Sequence, residues 1–362
     1  MKKTIFKIIR TLLLLIVILI SAFILFILYL TVREYKPSER EAITINSAAS
    51  SEDACILPGD ELTVVTWNTG CGTLGDNADF FMDYGNMVYT ADRARVNENL
   101  SGISSNLREI GADIIMLQET DIDSSRSYHT DETAYYSSVF PSYDTTFAYN
   151  YKVDYVPYPI PPIGKVESGL MTLSGFHVSS AERIQLPCPF KWPVRVANLK
   201  RCLLINRIPV EGSDKELVII NLHLEAFDDG EGKIAQTKML ADILEKELEA
   251  GNYIIAGGDF NQTFSGTDAS AYPEYPGKWH CGLIDESAFN GSLSFCQDPS
   301  SPTCRALDMP YATAEDKEHF QFYVIDGFIV SDNIEVLSVE TRDLQFKDTD
   351  HNPVVMKVVI KE

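Results

Sequence analysis

Eight polar residues stand at or near the ends of short apolar runs, and their types are those that bind hard cations and transfer protons. Carboxylate and amide oxygens are the ligands that a hard cation such as Mg²⁺ prefers, and carboxylates and imidazoles transfer protons. Singly, each has an ordinary explanation as a turn former or a hydrogen-bonded core histidine, but the combination favours a catalytic site. The eight are Asn68, Glu119, His223, Asp259, Asn261, Asp326, Asp350 and His351.

Six segments rich in β-branched residues must position these side chains, and each is predicted to be a β-strand. Four end in the polar residue or carry it near the end: "LTVVTWN", "DIIMLQE", "ELVIINLHLEA" and "NYIIAGGDFN". Two place it before an apolar run: "FQFYVIDGFIVS" and "TDHNPVVMKVVI". Because strand ends at one rim of a sheet hold side chains rigidly while loops admit a ligand, we expect one shared site.

Helical spacing of apolar residues predicts one helix from about Arg93 to Ile110, and "GKIAQTKMLADILEKELEAG" predicts another that ends at Gly251. Gly257 and Gly258 precede Asp259. They are interpreted as residues that let backbone and substrate approach closely, and a β-bulge is the compatible ordinary explanation.

The sequence resembles the endonuclease/exonuclease/phosphatase superfamily, which includes DNase-like nucleases and neutral sphingomyelinases. The resemblance covers roughly residues 61–362 and depends on "TWNTG", "LQET", "NLHLE", "GGDFN", "IDGFIV" and "TDHNPV", in the family's order. It implies an α/β four-layer sandwich of two packed, mainly antiparallel sheets flanked by helices. "SGLMTLSGFHV" is similar to the family's central strand pair, whereas Gly327 and Thr349 are mild departures from its pattern.

The resemblance and the chemistry together assign roles to the eight residues. Glu119, Asn68 and Asp350 are the expected metal ligands, for Mg²⁺ or alternatively Mn²⁺. Asp259 is expected to activate the attacking water, and Asn261 to donate to a phosphoryl oxygen.

The two histidines complete these roles. His351 is the expected imidazolium or proton partner of the phosphate, with Asp326 fixing its tautomer and raising its pKa. His223 is the expected second donor to phosphate.

The amino-terminal region predicts a membrane anchor. Lys2, Lys3, Lys7 and Arg10 precede an uncharged run from Thr11 to Val32, and about 20 apolar residues cross a bilayer as a helix. A cleaved signal peptide is less favoured, because its apolar stretch is usually about 7–15 residues long. The prediction is a cytoplasmic segment 1–10, a signal-anchor helix 11–32, a solvated linker 33–60 and an extracytoplasmic catalytic domain 61–362, single-pass in the cell membrane.

The net charge of −22 disfavours a nucleic-acid partner without excluding it. Removing the four cationic residues before the span leaves −22 − 4 = −26, and no basic run follows that could grip a polyanion. A monomer is expected. The seven cysteines include Cys281, Cys296 and Cys304, which are close enough in sequence for one bridge, at even odds with free thiols.

Residues 149–169, "YNYKVDYVPYPIPPIGKVESG", form a Pro- and Tyr-rich insert. We expect a surface loop covering a sheet edge, or one that stacks on a substrate or lipid head groups. The leading hypothesis is a membrane-anchored, metal-dependent phosphodiesterase or phosphomonoesterase acting on a small molecule or phospholipid head group. The alternatives are an extracellular nuclease with the same chemistry and a catalytically silent anchored binding module.

Overall fold

The computed structural model describes residues 2–51, 54–227, 230–315, 317 and 320–361. Its helices are α1 (Lys2–Arg33), α2 (Arg93–Ile110), α3 (Glu132–Val139) and α4 (Glu231–Glu249). Its strands are β1 (Arg40–Ala42), β2 (Glu61–Asn68), β3 (Ile114–Asp121), β4 (Asp144–Val156), β5 (Gly164–Ser174), β6 (Ser180–Gln185), β7 (Cys202–Pro209), β8 (Glu216–His223), β9 (Tyr253–Asp259), β10 (Gln262–Phe264), β11 (Gly282–Ile284), β12 (Leu293–Cys296), β13 (Cys304–Arg305), β14 (Phe322–Tyr323), β15 (Asp326–Ser331), β16 (Ile334–Thr341) and β17 (Val354–Ile360).

Two large sheets contain most of these strands. The first sheet has the order β16-β17-β2-β3-β5-β4, and the second has the order β1-β6-β7-β8-β9-β15-β12. Within them only β2 with β3, and β8 with β9, pair in parallel. The sheets are therefore mainly antiparallel, as predicted.

Alternation of side chains along the strands builds four layers, because successive residues point to opposite faces of a sheet. Val64 packs between the two sheets in one core with Ile255. The next residue, Val65, faces outward onto α2 and α3 in a second core with Leu100. On the other side, α4 packs against the outer face of the second sheet. The predicted four-layer α/β sandwich is confirmed.

The two predicted helices are present. α2 has its predicted bounds, since the Asp92 carboxylate accepts a hydrogen bond from the Arg95 N–H at its start and Gly111 ends it at φ +63°. α4 begins and ends within two residues of the prediction. The short helix α3 was not predicted. Its eight residues, "ETAYYSSV", have no clear apolar stripe.

The prediction of a solvated linker over residues 33–60 needs correction. β1 adds to the edge of the second sheet by pairing with β6, and Asn46 bridges to Thr145 of the first sheet. Ile56 is fully buried against the inter-sheet core. Apolar residues in this segment therefore pack on the sandwich well before residue 61.

The prediction of a long surface loop at residues 149–169 also needs correction. Most of this segment is strand, because β4 and β5 form an antiparallel hairpin that leaves residues 157–163 as its tip. Val153, Val156, Ile163 and Val166 form the small buried core of the hairpin. "SGLMTLSGFHV" contains only one strand, since β5 ends at Ser174. All seven cysteines lie in the described part of the chain and are unpaired.

Candidate functional site

Strand direction brings the predicted residues to one rim of the sandwich. β2 and β3 run in parallel, so Asn68 and Glu119 leave the first sheet at the same end. In the second sheet His223 pairs with Asp259 in the parallel β8 and β9. Asp326 pairs with Asp259 from the start of the antiparallel β15.

The segment before β17 brings in the last two residues. Because β17 runs antiparallel to β2, Asp350 and His351 approach from the same side as Asn68. The Trp67 indole N–H donates to the His351 carbonyl at 2.9 Å. The two sheets therefore bring all eight residues to a common edge, as the sequence predicts.

Asp259 lies at the centre of the contacts between the two sheets. Its Oδ2 accepts from the Asn68 amide at 3.1 Å and lies 3.4 Å from His223 Nε2 and 3.8 Å from His351 Nε2. Its Oδ1 accepts from the backbone N–H of Asn261 at 2.8 Å. Burial and the neighbouring Asp326 raise the pKa of Asp259 to about 7, against the opposing effect of His351. A carboxylate with that pKa is matched to a general base near neutral pH.

His351 is paired with Asp326. His351 Nδ1 lies 2.9 Å from Asp326 Oδ2, and because a carboxylate only accepts, Nδ1 carries the proton and Nε2 faces Asp259. Burial alone would lower the pKa of His351, but the Asp326 carboxylate and Cys304 outweigh it and hold that pKa well above its ordinary value. The other oxygen of Asp326 is buried and has no hydrogen-bond partner among the described residues.

His223 has the opposite electrostatic environment. Burial, together with the positive charges of Arg201 and His351, lowers the pKa of His223 well below its ordinary value. The pKa of His351 is thus raised while the pKa of His223 is lowered. This difference favours a charged His351 ring beside a neutral His223 ring at the same edge.

Asn261 follows Asp259 in a left-handed conformation, at φ +52°. One N–H of its side-chain amide donates to the Leu224 carbonyl at 2.9 Å. That contact fixes the direction of the side chain. The predicted donation to a phosphoryl oxygen would use the second N–H.

The predicted metal ligands lie on the first-sheet side. The Asn68 side-chain N–H donates to Glu119 Oε1 at 3.3 Å. The Asn68 side-chain oxygen, which was the predicted metal-binding atom, instead accepts from the Gly70 N–H at 3.0 Å. Asp350 is buried, and its Oδ1 accepts from the Thr349 hydroxyl at 3.2 Å. Burial raises the pKa of Asp350; His351 opposes this rise and Glu119 adds to it.

Several acidic groups at the rim have the burial and the close spacing of a metal site. Two carboxyl groups have raised pKa values because they are buried beside other acids, and one buried carboxylate oxygen lacks a partner. Within the described residues, two trios have ligand atoms within 4.8 Å of one another: Asp259, Asp326 and His351, and Cys304, Asp350 and His351. Acidic and histidine groups at the rim could therefore hold a metal ion, and of the three predicted metal ligands only Asp350 belongs to one of these trios.

Three residues near the site were not predicted. Arg126 makes two hydrogen bonds to Asp121, at 2.9 and 3.1 Å, and extends Nη1 to 3.8 Å from Glu119. Arg201 donates to the His223 carbonyl at 3.0 Å. The third is Cys304, which is buried beside His351. Arg126 could have been suspected from the sequence, because it is a basic residue only seven positions after Glu119 in an acidic chain.

The two glycines before Asp259 serve strand packing, which corrects their interpretation as a substrate approach. A Cβ on Gly258 would lie 1.9 Å from the Leu222 carbonyl oxygen, and Gly258 has φ +150°. A Cβ on Gly257 would lie 2.5 Å from a ring carbon of Phe328. Both neighbours belong to strands that flank β9, so glycine lets the three strands meet at the rim.

The fold and the site define an α/β sandwich with carboxylate, amide and imidazole groups along one rim. The profile of the Endonuclease/Exonuclease/phosphatase family matches residues 65–351. The chain therefore belongs to the endonuclease/exonuclease/phosphatase family, whose members are hydrolases acting on phosphoesters. No curated protein sequence gives a significant match.

Solved structures share the fold at low identity. An endonuclease/exonuclease/phosphatase from Beutenbergia cavernae has a TM-score of 0.55 at 17% identity, covering 83% of this chain and 72% of that one. The human Nocturnin catalytic domain with bound sulfate has a TM-score of 0.51 at 16% identity, covering 88% and 98%. ANGEL2, a 2',3'-cyclic phosphatase, has a TM-score of 0.52 at 12% identity, covering 89% and 99%.

Proposed function

We propose that the chain is a membrane-anchored, divalent-metal-dependent phosphoesterase that hydrolyses a phosphodiester or phosphomonoester by in-line attack of an activated water. The supporting observation is the contact between the sheets at Asp259, whose Oδ2 lies within 4 Å of polar nitrogen atoms of Asn68, His223 and His351. Mg²⁺ is the proposed cation, with Mn²⁺ as the alternative.

Each residue has a proposed step. Asp259, with its pKa of about 7, takes the proton of the attacking water. His351 presents its Nε2–H to the phosphoryl group while Asp326 holds Nδ1. His223 and the second N–H of Asn261 donate to phosphoryl oxygens. The cation would be held by Glu119 and Asp350 and would neutralise charge on those oxygens. Asn68, predicted as a third ligand, instead directs its N–H groups toward Glu119 and Asp259.

The proposed location is a cell membrane, crossed once. Lys3–Arg33 is a helix long and apolar enough to span a bilayer, and its basic amino-terminal end favours the cytoplasmic side. A signal sequence would have the same features. The length of the apolar run favours an uncleaved anchor with the catalytic domain outside the cytoplasm.

The proposed substrate is a small molecule or a phospholipid head group. The net charge of −22 opposes association with a long polyanion, and the protein is proposed to act as a monomer. ANGEL2 is a 2',3'-cyclic phosphatase, which makes a cyclic nucleotide a useful small-molecule probe.

The test is hydrolysis by the full-length protein in detergent micelles, with Mg²⁺, with Mn²⁺ and with EDTA. The substrates are bis-p-nitrophenyl phosphate, a 2',3'-cyclic nucleotide, phospholipid vesicles and plasmid DNA. We expect turnover of at least one of the first three that EDTA abolishes and added metal restores. Faster cleavage of DNA than of any other substrate would favour the nuclease. Folded protein inactive on all four would favour the binding module.

Two variants test the assigned residues. Because general acid–base groups contribute about 10²–10⁴-fold to rate, His351→Ala and Asp259→Ala should each lower kcat by that range. His280→Ala is the matched control, since His280 is exposed and, within the described residues, pairs with Glu274 at 2.7 Å. Near-normal rates in either site variant, with the control unchanged, would show that the roles are wrongly assigned.

A further inference from the structure

The carboxyl-terminal end of α1 is packed on the sandwich. Residues 3–25 of α1 are exposed along the helix, but Leu30 is buried. The Tyr29 hydroxyl and the Arg33 guanidinium both donate to Asp154 of β4, at 3.1 and 2.6 Å. Phe26 makes an edge-to-face contact with Tyr155. The helix therefore emerges from the domain at the β4–β5 hairpin.

A second set of contacts fixes the residues that follow α1. The Glu34 side chain is almost fully covered and lies 2.9 Å from Arg195 and 3.4 Å from Lys200. The Trp192 indole N–H donates to the Thr31 hydroxyl at 3.1 Å. The end of α1 is thus held by the β4–β5 hairpin and by the loop that contains Trp192 and Arg195. These contacts oppose free rotation of the domain about the end of the helix.

Exposed apolar side chains surround this exit point. In the hairpin tip Tyr158 is 69% and Ile160 is 94% exposed, and in the neighbouring loop Trp192 is 56% and Val194 is 59% exposed. Residues 194–197 form a short 3₁₀ turn, and the Tyr151 hydroxyl of β4 donates to the Ala197 carbonyl in that turn at 3.1 Å. We call Tyr158, Ile160, Trp192 and Val194 the exit face.

The charge around the exit face differs from that of the whole chain. Residues 155–164, "YVPYPIPPIG", contain no charged residue. Residues 186–201, "LPCPFKWPVRVANLKR", contain four basic residues and no acid. Lys191 is exposed, whereas Lys200 and Arg201 are buried and Arg195 and Lys200 pair with Glu34. Exposed apolar and aromatic side chains, here beside the exposed Lys191, are typical of surfaces that lie in the interfacial region of a bilayer.

The candidate site is close to the same place. Lys200 lies 3.4 Å from Glu34, and the next residue, Arg201, donates to the carbonyl of His223. Consecutive Cα atoms are only about 3.8 Å apart. The segment after α1 contacts Lys200, and the His223 side of the site contacts Arg201. Because these two residues are consecutive, the end of α1 and the site lie at the same end of the domain.

We propose that the exit face inserts into the outer leaflet of the bilayer that α1 crosses, so that the domain is held against the membrane with its site beside the lipid head groups. This inference rests on the proposed membrane anchor. It deepens the proposed function by naming the lipid surface as a second partner, and it favours a bilayer-borne phosphate ester as substrate.

The experiment measures depth in the bilayer at single positions. The full-length protein with Cys55→Ser, which removes the exposed native thiol, is reconstituted in vesicles of phosphatidylcholine and phosphatidylglycerol. A nitroxide is attached in turn to Ile160→Cys, Val194→Cys and Leu337→Cys. Its collision rates with O₂, which concentrates in lipid, and with a water-soluble nickel chelate are then compared.

Leu337 is the matched control, because it is apolar and 48% exposed in β16, at the opposite edge of the first sheet from β4. Five strand spacings of about 4.8 Å put the two edges about 24 Å apart. We expect the ratio of O₂ to nickel collisions at positions 160 and 194 to exceed the ratio at position 337 several-fold. Equal ratios at all three positions would overturn the inference.

Two further outcomes separate this inference from others. A label at Leu19→Cys, within α1, reports the anchor by itself, so a lipid-exposed position 19 with aqueous positions 160 and 194 would leave the anchor standing and refute the exit face. Shielding of positions 160 and 194 from both reagents, with spin–spin broadening, would identify a second copy of the chain as the occupant and would also refute it. Neither measurement requires turnover, so an inactive protein still gives a result.

Discussion

Replacing Asp326 by Asn tests the electrostatic arrangement of the site most directly. Asp326 is fully buried, holds His351 Nδ1 at 2.9 Å and pairs with Asp259 across the strands. Its charge raises the pKa of His351 and also the pKa of Asp259. Asn keeps the shape and a hydrogen-bond acceptor but removes the charge, so both pKa values should fall.

The size of the change follows from the hydrogen bond. A hydrogen bond to a charged group contributes about 1.5–3 kcal/mol, and one pKa unit corresponds to about 1.4 kcal/mol. Loss of the Asp326 charge should therefore lower the pKa of His351. The pKa of Asp259 should drop from about 7 as well. In the wild type the rate should rise with pH as Asp259 loses its proton and fall again as His351 loses its own. In Asp326→Asn both limbs of this pH–rate profile should move to lower pH.

The assay is kcat/KM for bis-p-nitrophenyl phosphate against pH at saturating Mg²⁺, because this ratio reports the groups of the free enzyme. Asp332→Asn is the control, since it removes an equal charge from an exposed carboxylate just after β15. Its profile should match the wild type. An alkaline limb that stays in place or moves upward in folded Asp326→Asn protein would refute the proposed pairing of Asp326 with His351.

Three further predictions concern stability and metal. Gly258→Ala should cost more than about 3 kcal/mol in urea unfolding, since a Cβ would lie 1.9 Å from the Leu222 carbonyl oxygen at φ +150°, whereas Gly291→Ala, with nothing within 4 Å, should change little. Burial, and then the charge of Asp121, raise the pKa of Glu132 well above its ordinary value. Wild-type stability should therefore fall as pH rises from the unfolded pKa of Glu132 toward its folded pKa, and Glu132→Gln should flatten that slope in unfolding curves taken at several pH values. Adding Mg²⁺ to protein cleared with EDTA should raise the midpoint of thermal unfolding, and an unchanged midpoint at saturating metal would contradict a preformed metal site.

The sequence predicted what local patterns determine. α2 was predicted from its own apolar stripe, and the structure adds the Asp92 cap and the final Gly111 that set its ends. The common rim follows from strand direction, because polar residues end four strands and begin two others that run the opposite way. Asp259 and Asp326, separated by many residues in the chain, therefore become direct partners in the sheet.

What the sequence did not predict depends on contacts between distant segments. Residues 33–60 looked like a linker because they are polar, yet Asn46 pairs with Thr145 in the assembled sandwich. The glycines of β9 could be explained only once the Leu222 carbonyl was placed against Gly258. Arg126 could be assigned to the site only when Asp121 was seen to hold it toward Glu119.

The acidity of the chain and the charge of its candidate site are separate properties, and they affect substrates at different distances. The site combines the carboxylates of Glu119, Asp259, Asp326 and Asp350 with nearby positive charge from Arg126, Arg201 and His351, so most of the net −22 must lie elsewhere on the protein. Surface charge repels a long polyanion over its whole length, but salt screens it beyond about 8–10 Å. A phosphate group that reaches the rim would meet hydrogen-bond donors and a cation site. Composition therefore argues against a long nucleic acid as substrate, whereas the proposed site would accommodate a small phosphate ester or one held in a bilayer beside the exit face.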